Sequence, residues 1–207
     1  MRFASRFGAL LVTFVVVACQ NRAAAPSIAK ADSGAGPASA GVIDSALPMD
    51  VMMARFRRDV PKVDKLHSDV TSRDELVRRI VSAMAKDDTT TLVNSTVNLA
   101  EYAWVYFPTA KVAKPPYEIP PALAWFQVQE KNRRGALRAL RELGGHRVVL
   151  ESYRCDEIPT IEDQNRIWTG CVVTISRDGT RVTDLRLFGG ILERNGRFEV
   201  VSFQNDF

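Results

Sequence analysis

Two short turn sequences near the C-terminus, Asp178-Gly179 and Asn195-Gly196, limit the folds that are open to this chain. Both dipeptides favour the tight two-residue turn of a β-hairpin, and runs of alternating apolar residues flank each of them. The strand candidates are residues 147–154, 167–176, 182–193 and 198–204. The sequence therefore predicts an antiparallel sheet that is formed mainly by C-terminal hairpins.

The pairing register of these hairpins follows by counting outward from two-residue turns. Both faces of the resulting sheet are largely apolar, whereas the strands of an antiparallel sheet with one solvent-exposed face alternate between apolar and polar residues. We therefore expect either that helices of this chain cover both faces or that a second copy covers one of them, as a homodimer through the sheet. The register predicts four facing pairs: Val172 with Leu185, Ile175 with Val182, Phe188 with Phe203, and Ile191 with Val200.

The residues that precede these strands have helical rather than alternating periodicity. Ser72 begins a capping box, and an apolar stripe continues that helix to about Ala85. Further helices are predicted over residues 49–56, 87–107 and 121–143, with a proline-rich loop before the last of them. The predicted fold class is α+β, with helices packed on an antiparallel sheet.

The N-terminus has the pattern of an export signal. Arg2 and Arg6 supply positive charge, and the apolar run 7–18 is too short to span a bilayer. Ala18 directly before Cys19 resembles the lipobox of bacterial lipoproteins. The resemblance implies cleavage before Cys19, acylation of Cys19, and attachment to a membrane through this N-terminal lipid. The alternative is an ordinary secretory leader with an incidental cysteine.

The residues after Cys19 indicate where the protein works and how it is tethered. Gln20 at the position by which lipoproteins are sorted implies delivery to the periplasmic side of the outer membrane, within a bacterial cell envelope. The segment 19–42 is mostly Ala, Ser, Gly and Pro, which favours a flexible tether. The sequence thus predicts a signal peptide (1–18), a tether (19–42) and one folded domain (43–207).

Charge and motifs exclude several classes of function. The net charge of the whole chain is only +4, and two of its arginines lie in the leader, so we expect no nucleic-acid partner. The sequence contains no serine elbow, phosphate loop or nucleotide fingerprint, and we predict no cofactor. His67 and His146 are the only histidines and do not lie at ligand spacing from a cysteine. We therefore predict no metal site, and expect both histidines at the surface or at helix ends.

Cys155 and Cys171 remain as a pair if Cys19 carries lipid. An exported protein folds in an oxidising compartment, so we predict a disulfide between them. It would close a loop of about 15 residues and stabilise the fold by roughly 3 kcal/mol. Two buried free thiols are the alternative.

The order of elements from Ser72 to Phe207 resembles the ketosteroid-isomerase-like cone superfamily, a cystatin-like α+β architecture. The resemblance implies that helices plug the concave side of a strongly curved sheet. The superfamily usually has a strand before the last helix, but residues 109–121 are too proline-rich for one. Its members include isomerases, cyclases, ligand binders and dimerising scaffolds, so the fold leaves the function open.

The resemblance also directs the search for a site, because a cone-fold isomerase uses a carboxylate and a tyrosine inside an apolar pocket. The ligand-pocket candidates are Tyr102, Tyr106 and Trp125 from the helices and Tyr153 from the sheet, with Asp184 as the sheet carboxylate. No catalytic residue is assigned. The leading hypothesis is a non-enzymatic envelope lipoprotein that binds a small apolar ligand or another envelope protein. The alternative is an isomerase or hydrolase of the same superfamily that acts on a small apolar substrate.

Overall fold

Two antiparallel sheets and the helices that pack on them make up residues 47–207, the part of the chain that this computed structural model describes. Helical elements come first, and all the strands follow them. The fold class is α+β, as the sequence predicted. The predicted signal peptide, the tether and Cys19 lie outside the described residues.

The helical elements begin where local capping signals predict. The Oγ of Ser72 accepts the N–H of Glu75 at 3.1 Å, and Pro121 occupies the first turn of the longest helix. Within residues 47–207 no helix is both long enough and apolar enough to cross a membrane. The elements are α1 (Met49–Arg57), α2 (Arg73–Ala85), α3 (Thr89–Asn94), α4 (Leu99–Glu101), a π-helical turn (Tyr102–Tyr106), a 3-10 turn (Lys111–Ala113) and α5 (Pro121–Leu143).

The prediction of one continuous helix over residues 87–107 is wrong. The chain leaves the helical conformation at Ser95, whose carbonyl accepts the N–H of Val200 at 2.8 Å. Asn98 then begins a new helix through a reciprocal capping box with Glu101. A contact with a distant strand therefore overrides the local helical pattern.

The strands form two sheets, and all their pairings are antiparallel. Asp178-Gly179 and Asn195-Gly196 both form hairpin turns, as predicted, with a φ of 50° at Asp178 and at Asn195. The three-stranded sheet has the order β1-β4-β5, with β1 (Val148–Arg154), β4 (Val172–Arg177) and β5 (Thr180–Leu185). The four-stranded sheet has the order β2-β3-β6-β7, with β2 (Thr160–Glu162), β3 (Asn165–Trp168), β6 (Ile191–Arg194) and β7 (Arg197–Val200).

Two of the four predicted facing pairs form and two do not. The pairs that form are Ile175 with Val182 and Ile191 with Val200. Leu185 faces Val173 rather than Val172, because an irregularity between Val173 and Ile175 shifts the register by one residue. Phe188 and Phe203 lie beyond the ends of their strands and form no ladder pair. Counting from a turn therefore predicts the register only as far as the first bulge or the end of the strand.

The predicted strands 167–176 and 182–193 are each broken in the middle, and these breaks divide one sheet into two. The first strand becomes β3 and β4, and the second becomes β5 and β6. Gly189 and Gly190 lie in the second break, and a Cβ on Gly189 would lie 2.7 Å from the Oγ of Ser202. The Ser202 side chain thus passes so close to the backbone at Gly189 that a larger residue there would have to displace it.

Cys155 and Cys171 form a disulfide, as predicted. The bond joins the segment after β1 to the break between β3 and β4. Cys171 is buried in the hydrophobic core, where it packs with residues of both sheets.

The hydrophobic core consists of two clusters that lie on opposite faces of the four-stranded sheet. On β6, Ile191 belongs to the first cluster and its neighbour Leu192 to the second, so helices of this chain cover both faces, which is one of the two predicted arrangements. The first cluster includes Leu76, Ile80, Met84, Leu92, Ala139, Leu143, Val173, Ile175, Phe188, Ile191 and Val200. The second comprises Met53, Leu66, Val97, Tyr102, Val105, Phe107, Ala124, Ile167 and Leu192.

Helix α5 packs on both clusters and crosses the C-terminal segment at Gly135. A Cβ at this position would lie 1.5 Å from the carbonyl oxygen of Phe203, so only glycine permits the close approach. The Phe203 N–H donates to Asn132 at 2.7 Å, and the side-chain amide of Asn205 donates to the Gly135 carbonyl at 2.7 Å. These bonds fix the segment after β7 against the middle of α5.

Candidate functional site

Two of the predicted pocket residues line a common cavity. Tyr102 and Tyr106 lie on the π-helical turn and border a cavity of about 300 Å³. Trp125, on α5, packs against Tyr102 with 4.8 Å between the ring centroids. Of the predicted residues, Tyr102 and Tyr106 therefore line the cavity, and Trp125 contacts Tyr102 without lining it.

The other two candidates lie elsewhere. Tyr153 is on β1, where it packs against the first cluster, because its strand belongs to the three-stranded sheet. Asp184 is an exposed residue of β5 whose carboxylate forms an ion pair with Arg154 at 2.9 Å. The expected proximity of Tyr153 and Asp184 to the helical aromatics is therefore not found.

The π-helical turn determines how the tyrosines are presented. The N–H of Phe107 donates to the Tyr102 carbonyl at 2.9 Å, a wider hydrogen-bonded turn than that of an α-helix. The Val105 carbonyl accepts a hydrogen bond from the buried side-chain amide of Asn165 at 2.8 Å. This bond attaches the turn to β3 and holds both phenol rings beside the sheet.

The lining of the cavity is mostly apolar, with polar groups from α5 and from the C-terminal segment. Among residues 47–207, Lys131 is the only charged residue that lines the cavity, and no acidic side chain of this part of the chain does so. The apolar wall includes Val112, Ile119, Ala124, Val128, Ile167 and Val201, and the polar groups are Gln127, Thr169, Ser202 and Gln204. An apolar body with one polar or anionic end matches this distribution.

Both tyrosines of the cavity are neutral at physiological pH. Burial raises the pKa of Tyr102 above its ordinary value. Burial, with a smaller contribution from the charge of Glu162, raises the pKa of Tyr106 to about 12. The two phenols therefore act as hydrogen-bonding groups rather than as bases.

A second polar site, formed by His67, Glu101 and Glu199, was not predicted from the sequence. The Nδ1 of His67 lies 2.9 Å from a carboxylate oxygen of Glu101 and 2.9 Å from one of Glu199. The glutamate side chains are 1% and 0% exposed, whereas that of His67 is 40% exposed. We call this group the His67–Glu101–Glu199 cluster.

Backbone N–H groups hold both carboxylates of the cluster in place. One oxygen of Glu101 accepts the N–H of Asn98 at 2.9 Å, within the capping box of α4, and the other accepts the N–H of His67. On β7, Glu199 accepts the N–H of Ser68 at 2.9 Å. The cluster therefore joins the segment before α2 to α4 and to the sheet.

The carboxyl groups of Glu101 and Glu199 are buried next to each other, and the described residues only partly offset the repulsion between their negative charges. Burial, and next the negative charge of Glu101, raise the pKa of Glu199 well above the usual range of a carboxyl group. The second carboxylate oxygen of Glu199 is buried and accepts no hydrogen bond from residues 47–207, and the Glu199 carboxyl group lies within hydrogen-bonding reach of the Glu101 carboxyl group. Two adjacent buried carboxyl groups require a proton or a cation to neutralise them.

Sequence reasoning missed this cluster because it tested histidines only for their spacing from cysteines. His67 is partly exposed, as expected, yet its ring faces two carboxylates from elements far away in the chain. One local signal was present: Glu199 is the single charged residue in the run Phe198–Val201, at a position that pairs with buried Leu192. An acidic residue at an inward strand position predicts a partner, but not its identity.

Neither a protein-family model nor a curated protein nor a solved structure matches this chain. The assignment of function therefore depends on the geometry of the two sites and on the sequence pattern of the N-terminus.

Proposed function

We propose that this protein is a non-enzymatic bacterial envelope lipoprotein whose folded domain binds a small, largely apolar ligand between the π-helical turn and α5. The observation that carries the proposal is the cavity of about 300 Å³, with Tyr102 and Tyr106 in its wall. Its size and its mostly apolar lining are those of a site for a small molecule.

The polar groups of the cavity define the kind of ligand further. Lys131 and Gln127 lie on α5, and Gln204 follows β7, so hydrogen-bonding groups accompany an otherwise apolar wall. A ligand with an apolar body and an anionic or carbonyl end would bury its body against the aromatic residues. Its polar end would then contact the ammonium group of Lys131.

The chemistry of the lining favours binding over catalysis. The alternative function, an isomerase or hydrolase, requires a carboxylate that faces a tyrosine across the cavity. Glu162 is the acidic residue whose charge acts on Tyr106, but it lies on β2, where one of its oxygens accepts the Lys111 N–H at 3.2 Å. It is not among the residues that line the cavity.

The envelope location and the cone-like architecture are further parts of the proposal. The leader, with Ala18 before Cys19, supports export and lipid attachment at the outer membrane. The Cys155–Cys171 disulfide suits a domain that folds in an oxidising compartment. The order of helices followed by antiparallel hairpins supports membership of the cone superfamily.

Binding can be tested with 1-anilinonaphthalene-8-sulfonate, an apolar fluorescent probe with one anionic group. The variant Val128→Phe places a larger side chain in the cavity wall, and we expect it to weaken probe binding at least about tenfold, or about 1.4 kcal/mol. The matched control is Val149→Phe, a change at a half-exposed position of β1. Equal binding by the two variants would contradict a ligand site in this cavity and would leave a surface for protein partners, including a second copy of the chain, as the better interpretation.

Membrane attachment is tested separately through Cys19→Ser in the bacterium. We expect the variant to accumulate as the unprocessed precursor and to lose the acyl chains, measured by gel mobility and by incorporation of labelled palmitate. Unchanged processing together with unchanged sedimentation would exclude the lipoprotein assignment.

A further inference from the structure

We propose that His67, Glu101 and Glu199 form a binding site for one divalent transition-metal ion such as Zn²⁺. This inference goes beyond the proposed ligand binding, because none of the three residues lines the cavity. It rests on the convergence of three ligand-type side chains from three separate elements of the fold.

The donor set suits such an ion. Zn²⁺ in proteins takes imidazole nitrogen and carboxylate oxygen at 2.0–2.2 Å, in a tetrahedral arrangement. One donor atom from each of the three side chains lies within 4.8 Å of the other two. Tetrahedral coordination needs separations of about 3.3 Å between donors. The Nδ1 of His67, at 2.9 Å from each carboxylate, would therefore move by only a few tenths of an ångström.

The unpartnered oxygen of Glu199 is an independent indication of a ligand. This side chain is completely buried: its Oε1 faces His67 and accepts the Ser68 N–H, whereas its Oε2 accepts no hydrogen bond from residues 47–207. Buried carboxylate oxygens are normally hydrogen-bonded or bound to metal. The hydrogen bonds that the two glutamates accept from backbone N–H groups leave other lone pairs free on the carboxylate oxygens. These hydrogen bonds therefore do not block coordination of a metal ion.

Charge balance also favours a divalent cation. Within the described part of the chain, neither Glu101 nor Glu199 forms an ion pair with a lysine or an arginine. A single divalent ion would neutralise both carboxylates, and removal of this repulsion offsets the cost of their burial. The partial exposure of His67 leaves one side of the site open, where water or an added ligand would complete the coordination.

Isothermal titration calorimetry tests the proposal, with Zn²⁺ titrated into the full-length protein after treatment with a chelator. We expect one Zn²⁺ ion per chain with a Kd in the micromolar range or below. His67→Asn and Glu199→Gln should each weaken binding by more than about 100-fold, because each removes a direct ligand. The matched control His146→Asn alters the other histidine, which pairs with Asp178 at the surface, and should bind as the wild type does.

Two outcomes would overturn the proposal. One is no saturable binding of Zn²⁺ by the wild type, which would leave a shared proton as the means by which the two glutamates are neutralised. The other is equal binding by Glu199→Gln and the wild type, which would place the ion elsewhere. His67→Asn changes a partly exposed side chain, so it keeps the test decisive even if Glu199→Gln folds poorly, and circular dichroism checks the fold of every variant.

Discussion

The two hydrophobic clusters share the four-stranded sheet and helix α5, yet they differ in what they bury. The first consists almost entirely of aliphatic and phenylalanine side chains from α2, α3, α5 and both sheets. The second contains the buried phenol of Tyr102 and borders the cavity. Its member Leu192 pairs across the sheet with Glu199, the buried acid of the polar cluster.

The first cluster therefore mainly stabilises the fold, whereas the second cluster adjoins both candidate functional sites. The first cluster is built from apolar side chains, whereas the second cluster lies beside the cavity of Tyr102 and Tyr106 and beside the buried carboxyl groups of Glu101 and Glu199. Both candidate sites lie on the side of the second cluster, with the four-stranded sheet and the first cluster behind them.

Replacing one isoleucine by alanine on each face of the four-stranded sheet should give the largest difference in the free energy of unfolding. Ile191 is fully buried in the first cluster, so Ile191→Ala should lower the free energy of unfolding by about 4 kcal/mol. Ile167 lines the cavity, and its truncation should cost only about 2 kcal/mol, because part of its surface already lacks packing partners. Urea unfolding monitored by circular dichroism measures both values, and equal losses would remove the distinction between the clusters.

The disulfide, whose Cys171 belongs to the first cluster, should make the next largest contribution to the free energy of unfolding. Replacement of Cys155 and Cys171 together by serine should lower the free energy of unfolding by about 3 kcal/mol, because the bond closes a loop of 16 residues in sequence separation. Reductant should destabilise the wild type by a similar amount and leave the double variant unchanged. A loss below about 1 kcal/mol would show that packing alone maintains the break between β3 and β4.

The most gradual effect, spread over several pH units, concerns the polar cluster of the metal-free protein. Because the pKa of Glu199 is raised in the folded state, that state keeps a proton that the unfolded chain releases above the ordinary carboxyl range. The stabilisation is complete at low pH and declines as pH rises through neutrality, by about 1 kcal/mol per pH unit. His67 and Glu101 are the titratable groups that face Glu199.

Glu199→Gln should abolish this slope in urea titrations at pH 5 to 8, since the amide does not titrate. The control Glu151→Gln, on the partly exposed side of β1 where Glu151 pairs with Arg181, should retain it. A slope that persists in Glu199→Gln would assign the pH dependence to other groups.

Local signals predicted the elements that depend on local hydrogen bonds. The Ser72 cap, the proline start of α5 and both hairpin turns are where the sequence places them, because each needs only residues three or four positions apart. The disulfide was predicted from the parity of the cysteines that remain if Cys19 carries lipid, and the structure contains it. The grouping of Tyr153 with the helical aromatics failed, because nothing local shows which sheet a strand will join.

Sequence patterns were enough to predict the α+β class, the C-terminal hairpins, the caps of the helices and the pairing of Cys155 with Cys171. They did not predict that the two long strands break, that residues 95–98 leave the helix, or that His67 meets two buried glutamates. The two groups of features differ in the sequence separation of the contacts that produce them. Turns and caps satisfy neighbouring backbone groups, whereas these three features arise from contacts between segments far apart in the chain, whose periodicity does not record them.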